Sequence, residues 1–340
     1  MTKRIIAAAA ALLLPALPAE AQGQLNLYCS ATIEWCTPIA RGFERESGIR
    51  VVLSQKSTGE MLAQLRAEAR NPRGDVWWGG TGDPHVAAGE EGLTQPNESP
   101  RIAELYDWAQ AQWRQTQGRT VGVYASVLGF GFNTELIARR NLPAPRCWSD
   151  LLNPVYRGEI QMANPNSSGT AYIVIATLVQ MMGEEPAFDY LKRVHASINA
   201  YPRSGTAPIT AVARGETAVS ISFVHNAAEE AAAGFPVGHA VPCEGTGYEI
   251  GSMSIIRGAR NLQNARRFYD WALSAEAQTA ASREARKLQT MANRAVPLTD
   301  GAPNMATARI IDYDNARFGA SAERRRLLDR WDREVGALPR

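Results

Sequence analysis

Thr120-Val121-Gly122-Val123-Tyr124-Ala125-Ser126-Val127-Leu128-Gly129-Phe130-Gly131-Phe132 runs without a charge or a proline. It is too long, and too rich in β-branched and aromatic residues, for a loop, and its glycines predict a strand that bends as it crosses between two lobes. On its N-terminal side, residues 25–28 alternate as a strand. A helix is expected from about Pro38, with Ile39 and Phe43 on one face and Gly48 as its stop, and 49–53 forms the next strand, completing a βαβ unit. Ser57-Thr58-Gly59 opens a helix carrying Met61, Leu62 and Leu65; a strand at 75–78 and a helix at 84–92 follow. On the C-terminal side come a strand at 159–162, a helix at 168–182, strands at 217–224 and 250–256, and a stretch from 262 to 340 that reads mostly as helices. The pattern is α/β throughout, without internal repeats or a low-complexity linker.

The chain has 340 residues, enough for two lobes that each bury a core. Lys and Arg number 36 against 34 Asp and Glu, and removal of a leader containing Lys3, Arg4 and Glu20 leaves a net charge of +1. That balance disfavours a nucleic-acid binder built on bulk charge. The leader is expected at 1–21: two cations, an apolar run from Ile5 to Leu14, and small residues at Ala19 and Ala21 that an exporting peptidase reads. The apolar run is about half of the ~20 residues a membrane span needs, and Asn26-Leu27-Tyr28 before Cys29 gives no lipoprotein signal. A free periplasmic protein is expected.

Four cysteines, Cys29, Cys36, Cys147 and Cys243, remain after cleavage. An even number in an exported chain favours two disulfides, and of three possible pairings loop closure favours Cys29–Cys36, leaving Cys147–Cys243. No CxxC or HxxxH spacing points to a metal, and no cofactor is expected.

Three segments, Ser57-Thr58-Gly59, Ser167-Ser168-Gly169-Thr170 and Ser204-Gly205-Thr206, place hydroxyls and a glycine immediately before a helical run. Free amide hydrogens and the positive end of the helix dipole suit such a position to an anion without any Lys or Arg. In open α/β sheets ligands collect where strands end and helices begin. Charge-assisted hydrogen bonds are worth about 1.5–3 kcal/mol each, so a few neutral donors suffice for a phosphate or carboxylate. Lys56 and Arg203 stand beside two of these segments.

Three longer segments carry a family resemblance: Trp77-Trp78-Gly79-Gly80-Thr81-Gly82-Asp83-Pro84-His85, Cys147-Trp148-Ser149-Asp150-Leu151-Leu152-Asn153-Pro154 with Tyr156-Arg157-Gly158-Glu159-Ile160, and Ala163-Asn164-Pro165-Asn166-Ser167-Ser168-Gly169-Thr170-Ala171-Tyr172. They resemble the periplasmic solute-binding proteins of ABC importers, in the cluster that contains the ferric-ion-binding proteins. The resemblance covers essentially the whole mature chain. It implies a two-lobed α/β periplasmic binding protein fold with crossing hinge strands and an inter-lobe ligand cleft that closes on its ligand. The lobes would be 22–125 with a return segment at 241–290, and 126–240, with C-terminal helices at 291–340 packing mainly on the second lobe.

Ferric members of that cluster resemble one another in a pair of adjacent tyrosines after the strand that here is Ser220-Ile221-Ser222-Phe223-Val224. In this chain His225-Asn226 follow, and none of the ten tyrosines adjoins another. A hard ferric ion wants anionic oxygen ligands such as phenolates, so iron is the lesser expectation. The residues present look instead like the hexose-phosphate-binding branch, in which a His-Asp pair at this strand end and a Glu in a Gly-Tyr-Glu-Ile-Gly segment hold sugar hydroxyls. His225 and Glu249 match, whereas Asn226 stands where the Asp is expected, and an amide donates as well as accepts.

The resemblance thus implies that Ser57, Thr58, Ser168, Gly169 and Thr170 grip a phosphate while Thr81, Asp83, His225, Asn226 and Glu249 face the rest of the ligand. Trp77 or Trp78 would offer a ring face to a sugar. The expected role is capture of a small anionic, phosphorylated and hydroxylated solute for an inner-membrane ABC permease, by a monomer. The alternatives are a ferric ion or ferric complex, and a phosphonate or carboxylate. A hydrolase is disfavoured, because GxSxG, HExxH and P-loop patterns are missing from the sequence.

Overall fold

The computed structural model describes residues 23–339, and the expected leader lies outside the described residues. Eleven strands are described: β1 Gln24–Cys29, β2 Arg50–Gln55, β3 Val76–Thr81, β4 Thr94–Gln95, β5 Val121–Asn133, β6 Ile160–Met162, β7 Ile198–Ala200, β8 Val219–Phe223, β9 Val237–Ala240, β10 Tyr248–Ile256 and β11 Thr290–Met291. Their order is β2-β1-β3-β10-β5-β8-β6-β7, with β4 on β10 and with β9 and β11 on β5.

The glycine-marked run is the strand β5, and it belongs to both lobes. Its first half, Val121 to Val127, pairs antiparallel with β10, and its second half, from Leu128 onward, pairs antiparallel with β8 and β9. At Gly129 an added Cβ would fall 2.4 Å from the Ala240 carbonyl oxygen, so only glycine lets the two backbones pack this closely at the change of lobe. Parallel β1, β2 and β3 extend the first lobe, and parallel β6, β7 and β8 extend the second.

Each lobe has its own core. Leu25, Leu27, Phe43, Trp78, Met253 and Phe268 are packed in the first; Phe130, Trp148, Tyr172, Ile175, Phe188 and Trp331 in the second. Burial of each such side chain is worth about 1.5–3 kcal/mol. The last helices, Asn315–Gly319 and Ser321–Trp331, send Phe318, Leu327 and Trp331 into the second core while leaning on the helix Gly82–Glu90 of the first lobe.

Two expectations are corrected. The first helix spans Ile33–Ser47, starting five residues before Pro38, which sits inside it. A proline there forfeits one intrahelical hydrogen bond; burial of Trp35, Ile39 and Phe43 holds the helix nonetheless. Gly48 ends it with φ 71°, the left-handed cap the sequence predicted. The C-terminal stretch is helical only in part, because residues 285–314 contain β11 and turns instead. Pro297, Pro303 and Gly301, the last at φ 82°, break helical continuity there.

The cysteines pair as Cys29–Cys36, which ties the end of β1 to the first helix, and Cys147–Cys243, with Cα–Cα distances of 6.0 and 4.8 Å. Cys147, Cys243 and the Glu244 carboxylate lie close together, but the sulfurs are spent on each other. Glu244 accepts hydrogen bonds from the Trp148 and Ser149 amides. Among the described residues, no helix is long and apolar enough to cross a membrane.

Candidate functional site

Between the lobes lies a cleft of about 520 Å³, a size suited to a small organic ligand. Two helix starts face each other across it. The helix Thr58–Ala67 begins at Ser57 in the first lobe, and the helix Gly169–Met182 begins at Ser168 in the second. The Gly59 amide donates to the Ser167 carbonyl at 3.0 Å, so the two starts touch across the cleft in this closed arrangement. A third hydroxyl-rich turn joins them: a Cβ on Gly205 would lie 2.4 Å from Thr170 Oγ1 and 2.9 Å from Ser168 Oγ. Neither Ser57 nor Ser168 uses its hydroxyl to cap its own helix; that leaves the Ser168 hydroxyl on the cleft wall.

At the crossing of β5 and β10, three polar side chains come together. His225 and Asn226 lie in the first turn of the helix Val224–Ala232, which follows β8, and Glu249 is the second residue of β10, paired with Ser126 of β5. His225 Nδ1 lies 2.7 Å from Ser126 Oγ and 4.0 Å from Glu249 Oε1, and Asn226 Nδ2 donates to Ser222 Oγ at 3.3 Å. Burial, assisted by the Lys287 charge, pushes the His225 pKa well below the usual imidazole value, so the ring is neutral. Burial likewise pushes the Glu249 carboxyl well above its usual range, with Glu229 and Asp83 adding to the effect. A neutral carboxyl donates a hydrogen bond as well as accepting one.

Of the residues singled out in the sequence, Ser57, Thr58, Thr81, Ser168, Thr170, His225, Asn226 and Glu249 line the cleft. Gly169 sits directly behind, its missing Cβ leaving room for Thr81. Asp83 does not line it. Its side chain is buried among the helices, accepting a hydrogen bond from Tyr313 at 3.1 Å, and desolvation pushes its pKa up to about 6. Neither Trp77 nor Trp78 offers a face to the cleft: Trp77 stacks on His85 at 3.6 Å, and Trp78 meets Trp35 edge-on in the first core. Arg203 is spent in an ion pair with Glu60.

Other cleft residues carry no local sequence signal. Tyr124 accepts the Gly80 amide at 2.7 Å on its hydroxyl, whose own proton is left to donate. Lys287 and Glu229 form an ion pair on the wall. Thr81 Oγ1 is buried without a hydrogen-bond partner, packed against Gly169 of the other lobe. Lys287 is held in that pair, and the exposed Arg286 beside it also lines the cleft, so the wall offers amide and hydroxyl donors together with one exposed cation.

The two lobes, the crossing strands and a polar cleft between them define a two-lobed solute-binding protein. The chain matches the bacterial extracellular solute-binding protein family over residues 85–317 and belongs to that family. Its role is accordingly to bind a small solute for an ABC permease rather than to transform it, outside the cytoplasm. An uncharacterised protein of Haemophilus influenzae is 40% identical over 319 residues, covering 93% of this chain and 92% of that one. The periplasmic binding protein AfuA from Actinobacillus pleuropneumoniae, solved with exogenous fructose-6-phosphate bound, is 42% identical with a TM-score of 0.90, covering 93% of this chain and 99% of that one. The periplasmic binding protein P5PA is 38% identical at a TM-score of 0.89, covering 92% and 99%.

Proposed function

We propose that this chain is the periplasmic component of an ABC importer that captures a small phosphorylated, polyhydroxylated solute of the sugar-phosphate class. The monomer closes around the solute and delivers it to an inner-membrane permease. The observation that carries this reading is the meeting of two helix starts, at Ser57-Thr58 and Ser168-Gly169-Thr170, in the same cleft that His225, Asn226 and Glu249 line. The helix starts would hold the phosphate through amide and hydroxyl donors, and the three side chains would read hydroxyls by donating and accepting. The fructose-6-phosphate bound to AfuA supports the same class.

The test is a thermal-shift screen of the ligand-stripped mature protein against hexose phosphates, their unphosphorylated parents, inorganic phosphate, phosphonates, carboxylates and ferric citrate. A ligand that binds only the folded state raises Tm by mass action. A shift with a phosphorylated sugar and none with its parent is the expected result. A shift confined to a carboxylate or to the ferric complex would overturn the assignment.

A further inference from the structure

His225, Asn226 and Glu229 fall on one face of the helix Val224–Ala232, all three against the cleft. Glu229 does not stop at its own lobe. Its Oε2 accepts from Lys287 Nζ at 2.8 Å and its Oε1 from the Leu288 amide at 3.0 Å, both in the segment between the helix Ala275–Glu284 and β11 of the first lobe. Both side chains are nearly buried, 9% exposed for Lys287 and 15% for Glu229, and both line the cleft. The pair therefore joins the lobes and walls the ligand at the same time. The cleft, at about 520 Å³, leaves room for the far end of a ligand beside this pair.

We propose that the Lys287–Glu229 pair is a specificity determinant that admits ligands with an uncharged, hydroxylated end remote from the phosphate and rejects those whose remote end is charged. The proposal rests on the sugar-phosphate reading of the same cleft. An ammonium with remaining N–H donors beside a carboxylate with remaining lone pairs presents a donor and an acceptor side by side, the pattern that neighbouring hydroxyls complement. A second phosphate would draw Lys287 from Glu229 and face the carboxylates of Glu229 and Glu230. A ligand amine would compete with Lys287 for Glu229. Either substitution breaks a nearly buried pair and leaves one charge uncompensated, which is the costly outcome.

The test is titration calorimetry of the mature wild type, Lys287→Met, Glu229→Gln and the double variant. The probes are fructose 6-phosphate, fructose 1,6-bisphosphate, 2-aminoethylphosphonate and inorganic phosphate, and each variant's Tm is recorded. Weaker closure lowers every affinity by a common factor, so the ratios carry the result. Glu229→Gln is expected to narrow the preference for the monophosphate over the bisphosphate by about tenfold, a change of about 1.4 kcal/mol. Lys287→Met is expected to narrow the preference over the aminophosphonate by a similar factor. The double variant, which leaves no unpaired buried charge, keeps the test open should a single variant fold poorly, and is expected to narrow both ratios. Unchanged ratios in variants that bind the monophosphate would overturn the specificity role of the pair and leave the sugar-phosphate reading standing. A wild type that binds none of the four probes would overturn that reading and the specificity role together.

Discussion

Thr81 and Gly169, at the end of β3 and the start of a helix in the opposite lobe, meet so closely that a Cβ on Gly169 would lie 1.8 Å from Thr81 Oγ1. The closed cleft thus depends on the absence of a side chain at Gly169. Gly59 repeats the arrangement on the other helix start, where a Cβ would fall 2.3 Å from the Asn166 carbonyl oxygen.

Gly169→Ala is expected to leave both cores folded and to prop the lobes apart, since the added methyl meets the other lobe and not its own. Solute affinity should drop at least about tenfold, roughly 1.4 kcal/mol, with a larger radius of gyration in the presence of ligand. Scattering curves that contract as in the wild type, with unchanged affinity, would refute this.

Ser168→Ala combined with Thr170→Ala removes two hydroxyls from the helix start while keeping its amides. Each lost donor to a charged group costs more than about 1 kcal/mol, so a phosphate-bearing ligand should bind about an order of magnitude more weakly or worse. Titration calorimetry against fructose 6-phosphate measures it, and an unaltered constant would discard the phosphate assignment.

His225→Ala should change the ranking among sugar phosphates more than the affinity for inorganic phosphate, because the ring is set beside Ser126 and Glu249 and belongs to neither the Ser57 nor the Ser168 helix start. Competition titrations with several hexose phosphates decide the matter. Uniform weakening across all of them would argue instead for a structural role through Ser126.

The buried Glu249 makes stability depend on pH with a definite sign. Its folded pKa is raised well above 4.5, chiefly by burial, so its contribution is fully present below about 4.5 and is lost as the pH climbs through the raised value. Glu249→Gln, which cannot ionise, should melt higher than wild type at neutral pH, with the gain vanishing as the pH falls to about 4.5. Melting curves recorded across that range test this, and a gain independent of pH would contradict it.

The βαβ start, the crossing strand and the helix starts were legible in the sequence because each rests on local features: alternation, glycine placement and hydroxyl caps. The family resemblance added His225, Asn226 and Glu249, which no local spacing connects, and the fold brings them together where β5, β8 and β10 meet. Asp83 shows where local reading ended. Its Gly-Asp-Pro setting marks a helix start, but the direction of its side chain is settled by Tyr313, 230 residues away. Lys287 and Glu229 gave no signal either, being ordinary charges 58 residues apart in the chain.

By itself, then, the sequence determined the two-lobed α/β class, one of the cysteine pairs by loop length, and hydroxyl-and-glycine helix starts able to hold an anion. Tertiary structure alone decided which polar side chains face the cleft and which are turned into the interior, and it joined Lys287 to Glu229. The reason is physical: caps and strand periodicity are properties of a few consecutive residues, whereas the partner of a buried charge is chosen by which distant surfaces the two cores press together.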